Sequence, residues 1–181
     1  MSEPIVISSW SSGWISKFRS KAELLRNELG PLAMRIDHIG STAIHGLAAK
    51  PIIDIQISVQ TFDPMDALIA PLERCGYAWR SNNPELTKRY FRELPGNERT
   101  HIHVRRSGSW HEQWALLFRD YMREHVAEHG PYVELKSALA ERHGTDRAAY
   151  TEGKDDFFWG VIRRADRWAA ATGWRPPSTD A

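Results

Sequence analysis

The sequence predicts an α+β protein, and three observations carry that expectation. Residues 51–59, PIIDIQISV, alternate with a period of two, the signature of a strand. Residues 77–104 divide into extended runs around Pro95-Gly96-Asn97, a hairpin loop. From Trp110 to about Trp168 the pattern is helical throughout, so helices follow strands instead of alternating with them.

Taken in order, a first helix is expected from about Trp10 to Leu29, capped by Ser8 or Ser9. Trp14, Phe18 and Leu25 recur at helical spacing, and Gly30-Pro31 stops it. Leu32 to Ile39 reads as a short extended run ending in a tight corner, Gly40-Ser41-Thr42. A helical turn from Ala43 to Ala49 follows, and Lys50-Pro51 returns the chain to extended backbone. In the strand beyond, Ile53, Ile55, Ile57 and Val59 share one face, and Ile52, Asp54, Gln56 and Ser58 the other. One side is core; the other turns polar at its centre, as where a sheet meets a site. Asp63-Pro64 should open a helix carrying Met65, Leu68, Ile69 and Leu72, with Gly76 ending it. Lys88–Leu94 and Thr100–Arg105 are the strands of the hairpin. Breaks at Gly130-Pro131 and Gly144-Thr145 divide the C-terminal third into three helices, and residues from Arg175 onward read as a frayed tail. The expected organisation is one domain over residues 1–175: a sheet-containing core at 10–107, helices at 108–170, and a tail at 176–181.

Composition narrows the function classes. With 181 residues, 24 Lys+Arg against 23 Asp+Glu and a net charge of +1, there is no global basic field, and nucleic acid is not an expected partner. The single Cys75 forms no internal disulfide, and no Cys-His spacing suits a structural zinc site. The N-terminal MSEPIVISSW lacks a basic region followed by an apolar core, and no stretch approaches ~20 apolar residues. These features predict a soluble cytoplasmic protein with no membrane partner. Most of the eight tryptophans are expected to pack between helices, with one or two left to line a pocket.

The residues with chemical potential cluster between Asp37 and Arg105. Gly40 allows a sharp turn and close approach of a ligand, while Ser41 and Thr42 offer hydroxyls and N–H groups suited to phosphate oxygens. Asp54 emerges from the neighbouring strand as metal ligand or general base. His101 and His103, two apart on a strand, share a face. Beside Asp54 they would complete a ligand set for Zn²⁺, Mn²⁺ or Fe²⁺, or they would hydrogen-bond Asp54, Gln56 or a ligand and move protons. Lys50, Arg89, Arg92, Arg119, Lys136 and Lys154 are candidates for holding an anion. His38 is placed to interact with the corner it precedes, and Asp120 to orient Arg119.

The run HIGSTAIHGLAAKPIIDIQISV resembles the signature of the GrpB family, within the nucleotidyltransferase-fold superfamily. The resemblance continues through Gly76-Tyr77, Arg89 to Arg92, His101-Ile102-His103-Val104, Phe118-Arg119-Asp120-Tyr121, Leu135-Lys136, and Tyr150 with Gly153-Lys154. It spans roughly residues 10 to 165. His45 stands where family members usually carry proline. The resemblance implies a nucleotidyltransferase-like mixed β-sheet with flanking helices, a helical C-terminal third, and a nucleotide- or phosphate-binding corner at Gly40-Ser41. Family members also occur fused to dephospho-CoA kinase. In that superfamily, active transferases place two carboxylates two residues apart on one strand, joined by a third from a later strand, around two Mg²⁺ ions. Here Asp54 is followed by Gln56, a neutral amide, and the later strand carries His101, His103 and Arg105. The expectation is therefore a repurposed site. Its catalytic and metal residues would be Asp54, His101 and His103, with a divalent metal, Mg²⁺ or Mn²⁺ before Zn²⁺. His38, Gly40, Ser41, Thr42, Lys50, Gln56, Arg89, Arg92, Arg119, Lys136 and Lys154 would bind a nucleotide or another small anion. The alternative is a non-catalytic binding or accessory module that kept the anion pocket. Either reading is compatible with an oligomer.

Overall fold

The computed structural model describes residues 4–181. Residues 1–3, where the expected domain and the segment read for a leader both begin, lie outside the described residues. Eleven main elements follow in the order α1 (Gly13–Leu29), β1 (Arg35–Ile39), β2 (Ile53–Val59), α2 (Asp66–Arg74), β3 (Tyr77–Trp79), β4 (Lys88–Glu93), β5 (Thr100–Arg106), α3 (Trp110–Glu124), α4 (His129–His143), α5 (Arg147–Glu152) and α6 (Asp155–Thr172). The sheet order is β1-β2-β5-β4-β3. Only β2 and β5 run parallel, which makes the sheet mixed. The α+β expectation holds.

The two-residue period of β2 decides the layering. Ile53, Ile55 and Ile57 pack with Ile36, Phe91, Ile102 and Val104 beneath α1 and α2, in a core that includes Trp14, Phe18 and Leu25. The polar face of β2 turns toward α3, whose Glu112 carbonyl accepts from Gln56. A second core, built from Phe118, Met122, Tyr132, Val161 and Ile162, joins α3, α4 and α6 and receives Ile44 and Leu47 from the segment before β2. The site thus lies between a sheet face and a helical cap with a core of its own.

Several boundaries differ from expectation. Ser8 is paired with Ala49 in an isolated bridge, so it cannot cap α1, which begins only at Gly13. The helix after β2 starts at Asp66, after a turn through Pro64 and Met65. The C-terminal third holds four helices, not three. Gly130-Pro131 falls inside the first turn of α4, where a proline lacks only an N–H that the helix leaves unpaired. The break comes earlier, at residues 125–128, and another falls at Gly153-Lys154.

The tail is not frayed. β1 is an edge strand, and the last residues lie along its open side. Thr179 Oγ1 accepts from Ile36 N and donates to Ile36 O, each at 2.9 Å. Asp180 Oδ2 accepts from His38 N at 2.9 Å, and Arg35 donates to Pro177 O at 2.8 Å. Side-chain oxygens here replace the neighbouring strand that an edge lacks, a signal that a polar, proline-containing terminus does not show in sequence. Among the described residues, no helix is long and apolar enough to cross a membrane.

Candidate functional site

Parallel pairing of β2 with β5 sets Asp54 opposite His101 and Gln56 opposite His103. Side chains at matched positions in neighbouring strands share a face, so the register alone brings the carboxylate and both imidazoles together. His101 Nδ1 and His103 Nε2 stand 3.1 and 3.3 Å from the same oxygen, Asp54 Oδ1. Burial would raise the Asp54 carboxyl, but the hydrogen bonds and charge of the two histidines hold it well below the usual carboxylate range. Burial in turn lowers His103, against the pull of Asp54.

Gly40 closes the other side of Asp54. Its φ is +70°, and a Cβ there would lie 2.8 Å from Asp54 Oδ2. The glycine is required twice, by backbone conformation and by contact with the carboxylate. Gly40→Ala is expected to cost about 1–3 kcal/mol in urea unfolding, with Asp54 displaced from the histidines.

These residues form the floor of a cavity of about 310 Å³. The helical cap supplies its walls: Trp114 and Phe118 from α3, Tyr132 and Lys136 from α4, Tyr150 from α5, and Phe158 from α6, with Lys154 just before it. Three lysines converge there on aromatic faces. The Lys50 and Lys154 ammoniums lie 4.4 and 4.7 Å from the centre of the same Tyr150 ring, and Lys136 lies 4.3 Å from that of Tyr132. Burial first, and then the neighbouring ammoniums, lower Lys136 to about 7 and Lys154 to about 8, while Asp54 pulls Lys154 back upward. Lys50 is lowered by burial as well. Lys136 also donates to the Ala48 carbonyl. Trp114 meets the expectation that one or two tryptophans line a pocket, whereas the Tyr and Phe walls have no such signal, because a Tyr or Phe on an amphipathic helix reads first as core.

The structure brings Gly40, Ser41, Thr42, Lys50, Asp54, His101, His103, Lys136 and Lys154 to one cavity; the other candidates lie elsewhere. His38 projects from the opposite face of β1, stacked on Phe18 with ring centres 4.7 Å apart. Its Nε2 donates to Thr42 Oγ1, which passes a hydrogen bond to Ile52 O, so His38 braces the corner from behind. Burial lowers it to about 4, and it stays neutral. Arg89 lies on that opposite face too, 4.2 Å from the Phe62 ring. Arg92 shares the Asp54 face, since it pairs with His101 in register, but its guanidinium is held by Glu93 at 2.7 Å. Arg119 is wholly buried. It donates to His38 O at 3.1 Å, Asp120 Oδ1 at 2.7 Å and Asp180 Oδ2 at 2.8 Å, with Asp37 Oδ1 at 3.8 Å. It is a tie between α3, β1 and the tail. Gln56 is fully buried beneath α3, off the cavity, donating to Glu112 O at 3.3 Å. Placing a carboxylate there would bury a charge opposite a carbonyl dipole. Gln56→Asp is expected to cost about 2–3 kcal/mol in chemical denaturation instead of restoring a second metal-binding carboxylate.

Comparison with known proteins follows the same line. The family described as GrpB protein matches residues 4–164. A UPF0157 protein of Pseudomonas aeruginosa is 41% identical over 155 residues, covering 84% of this chain and 64% of that protein. A dephospho-CoA kinase of Mycolicibacterium paratuberculosis is 31% identical over 188 residues, covering 90% of this chain and 46% of that protein. The chain thus spans about half to two thirds of the length of these curated relatives. The crystal structure of GrpB from Enterococcus faecalis matches with a TM-score of 0.81 at 30% identity, covering 90% of this chain and 99% of that one. Cid1 in complex with its short product ApU matches with a TM-score of 0.51 at 14% identity, covering 75% of this chain and 43% of that one. This second likeness is one of fold alone, and it makes the sheet and its flanking helices nucleotidyltransferase-like. The chain belongs to the GrpB family.

Proposed function

We propose that the cavity binds a small polyanion, a nucleotide or another phosphorylated or carboxylated molecule, at a nucleotidyltransferase-like active site. The observation that carries this reading is the meeting of Lys50, Lys136 and Lys154 over the Asp54-His101-His103 floor. Three ammoniums drawn partly out of water repel one another, and only an anion between them turns that cost into binding. Tyr150 and Tyr132 hold the ammoniums by their faces, which fixes their position while leaving their N–H groups to the ligand. Ser41 and the Gly40 corner supply polar groups at the floor. Asp54, held ionised by the two histidines, orients them, and an imidazole is the group that takes up or returns a substrate proton.

Two Mg²⁺ ions of the usual superfamily kind do not fit here. Asp54 is the sole carboxylate lining the cavity among the described residues, and Gln56 is turned away beneath α3. That burial favours a second reading, a binding module that retains the pocket without transfer chemistry. Neither reading calls on nucleic acid or a membrane, and both allow self-association.

Calorimetric titration of the metal-free protein with ATP, CTP, GTP, CoA and sulfate tests the pocket. At least one should bind, and Lys136→Ala and Lys154→Ala should each weaken it about tenfold, near 1.4 kcal/mol. Absence of binding to every anion overturns the proposal. Asp54→Asn then separates the two readings: a catalyst loses about 10²–10⁴ in turnover, whereas a binding module keeps its affinity.

A further inference from the structure

The geometry points to a single transition-metal site at Asp54, His101 and His103, in place of the two-magnesium centre that the fold would suggest. The inference rests on the pocket reading above for what completes the metal's coordination, and on the side-chain geometry alone for the metal itself. One ligand atom from each of the three residues lies within 4.8 Å of the others. The two imidazole nitrogens converge on one carboxylate oxygen, at 3.1 and 3.3 Å. A charge-assisted N–H···O contact prefers about 2.7–2.9 Å. Two ligands each about 2.1 Å from one metal stand about 3.0 Å apart at a right angle and about 3.4 Å apart at a tetrahedral one. The observed spacings match the edge of a coordination polyhedron as well as they match hydrogen bonds from two imidazoles to one oxygen. His101 Nε2 is buried with no hydrogen-bond partner among the described residues, so Nδ1, the nitrogen that faces Asp54, is the ring's polar contact with the cluster.

Ligand type sets the metal's class. Two nitrogens and one oxygen suit Zn²⁺, Fe²⁺, Co²⁺, Ni²⁺ or Mn²⁺ in rising or falling measure, whereas Mg²⁺ requires an oxygen shell. Three protein ligands from two neighbouring strands occupy one side of the ion and leave the cavity side open. That side faces the lysines. A metal dication beside the three lysines outweighs the single carboxylate and makes the filled site cationic, so an oxyanion with more than one negative charge suits the open positions.

The test uses the full chain, stripped of metal by chelator and dialysis. Zn²⁺, Mn²⁺ and Mg²⁺ are titrated separately, with calorimetry and metal analysis after gel filtration as readouts. The expected result is one equivalent of Zn²⁺ or Mn²⁺ bound per chain, with Mg²⁺ at least a hundredfold weaker. His101→Gln and His103→Gln should each lower the Zn²⁺ or Mn²⁺ affinity about a hundredfold while far-ultraviolet dichroism stays unchanged. Equal affinity for Mg²⁺, two equivalents per chain, no uptake of any of the three, or retention of affinity in both folded variants overturns the inference. Should one variant fail to fold, the wild-type metal preference and the other variant still decide it. Sulfate binding measured in the metal-free protein reports on the lysine pocket separately, so failure of the metal site and failure of the pocket give different results.

Discussion

Replacing Arg119 with methionine is expected to lower the stability of this protein by about 3–5 kcal/mol. For a chain of this size that is a fall in Tm of about 6–20 °C. The side chain has no exposed surface and joins three parts of the molecule through His38 O, Asp120 and Asp180. Asp37, also without exposed surface, loses the second of its two cations and is left with Arg35 alone. Burial already raises the Asp37 carboxyl, and the two arginines hold it down, so its protonation follows the loss of either. Methionine fills much of the volume, which keeps the experiment a test of the charges more than of a cavity. The contrast is Arg89→Met. Arg89 rests on the Phe62 ring, and its guanidinium donates to the nearby Leu86 and Lys88 carbonyls, so its loss should cost less than about 1 kcal/mol. Urea unfolding of the two variants side by side measures the difference. Similar costs would show that Arg119 acts as a surface charge, against its place in the fold.

The second large effect concerns pH. Anion binding is expected to weaken about a thousandfold between pH 6 and pH 9, followed with sulfate, which keeps one charge state across that range. Lys136 is lowered to about 7 and Lys154 to about 8 in the free protein. An anion seated between them favours the charged forms, so binding takes up a proton at each lysine that has lost one. Below pH 6 both are already charged and affinity is flat. From there to pH 9 the linkage for pKa values of about 7 and 8 accumulates to about three decades. The other groups facing these lysines are Lys50, Asp54, His101, His103, Tyr132 and Tyr150. Lys50 is also lowered, which adds to the loss, while both tyrosines are raised by burial and stay neutral throughout. The sign for stability is the opposite. A lysine ordinarily titrates at 10.5, so between about 7 and 10.5 the unfolded chain binds more protons than the folded one. These lysines therefore make the ligand-free fold more stable as pH rises through that window. Calorimetry at four pH values with sulfate, paired with thermal unfolding of the free protein, measures both slopes.

How much of this was legible in the chain depends on the range over which each signal acts. The alternation of Ile53, Ile55, Ile57 and Val59 fixed β2 and its faces, and the His101–His103 spacing fixed theirs, because a strand's period needs no knowledge of its neighbours. What placed Asp54 against both histidines was the parallel register of β2 and β5, which the sequence suggests only through the family resemblance. Arg89 and Arg92 show the limit. They sit three apart on a strand and so point to opposite faces, a parity that separates them without any structure. Arg119 could not be sorted in that way, since a helix places an arginine equally well in a pocket or in a buried tie. Tyr132 and Tyr150 carry no sequence signal of a wall for a related reason: their rings are core on one side and cavity wall on the other, and periodicity registers only the first; Tyr150 enters the sequence reading through the family resemblance alone. The lysines were legible as candidate anion holders but not in their titration, because a lysine's displacement from its ordinary value depends on burial by residues nearly a hundred positions away.

The segment at Pro177 to Ala181 has a consequence for how molecules of this protein can meet. Of the sheet's two outer strands, β3 is three residues long, too brief to template a neighbour, and β1 already has its amides and carbonyls engaged. Backbone-to-backbone recruitment of a second copy is thus blocked at β1 and disfavoured by the shortness of β3. A dimer is then expected to form through side-chain contacts, not through pairing at β1. Conversely, trimming the chain after Trp174 would lay bare a ready seam for fibril-like stacking, visible as light scattering on concentration.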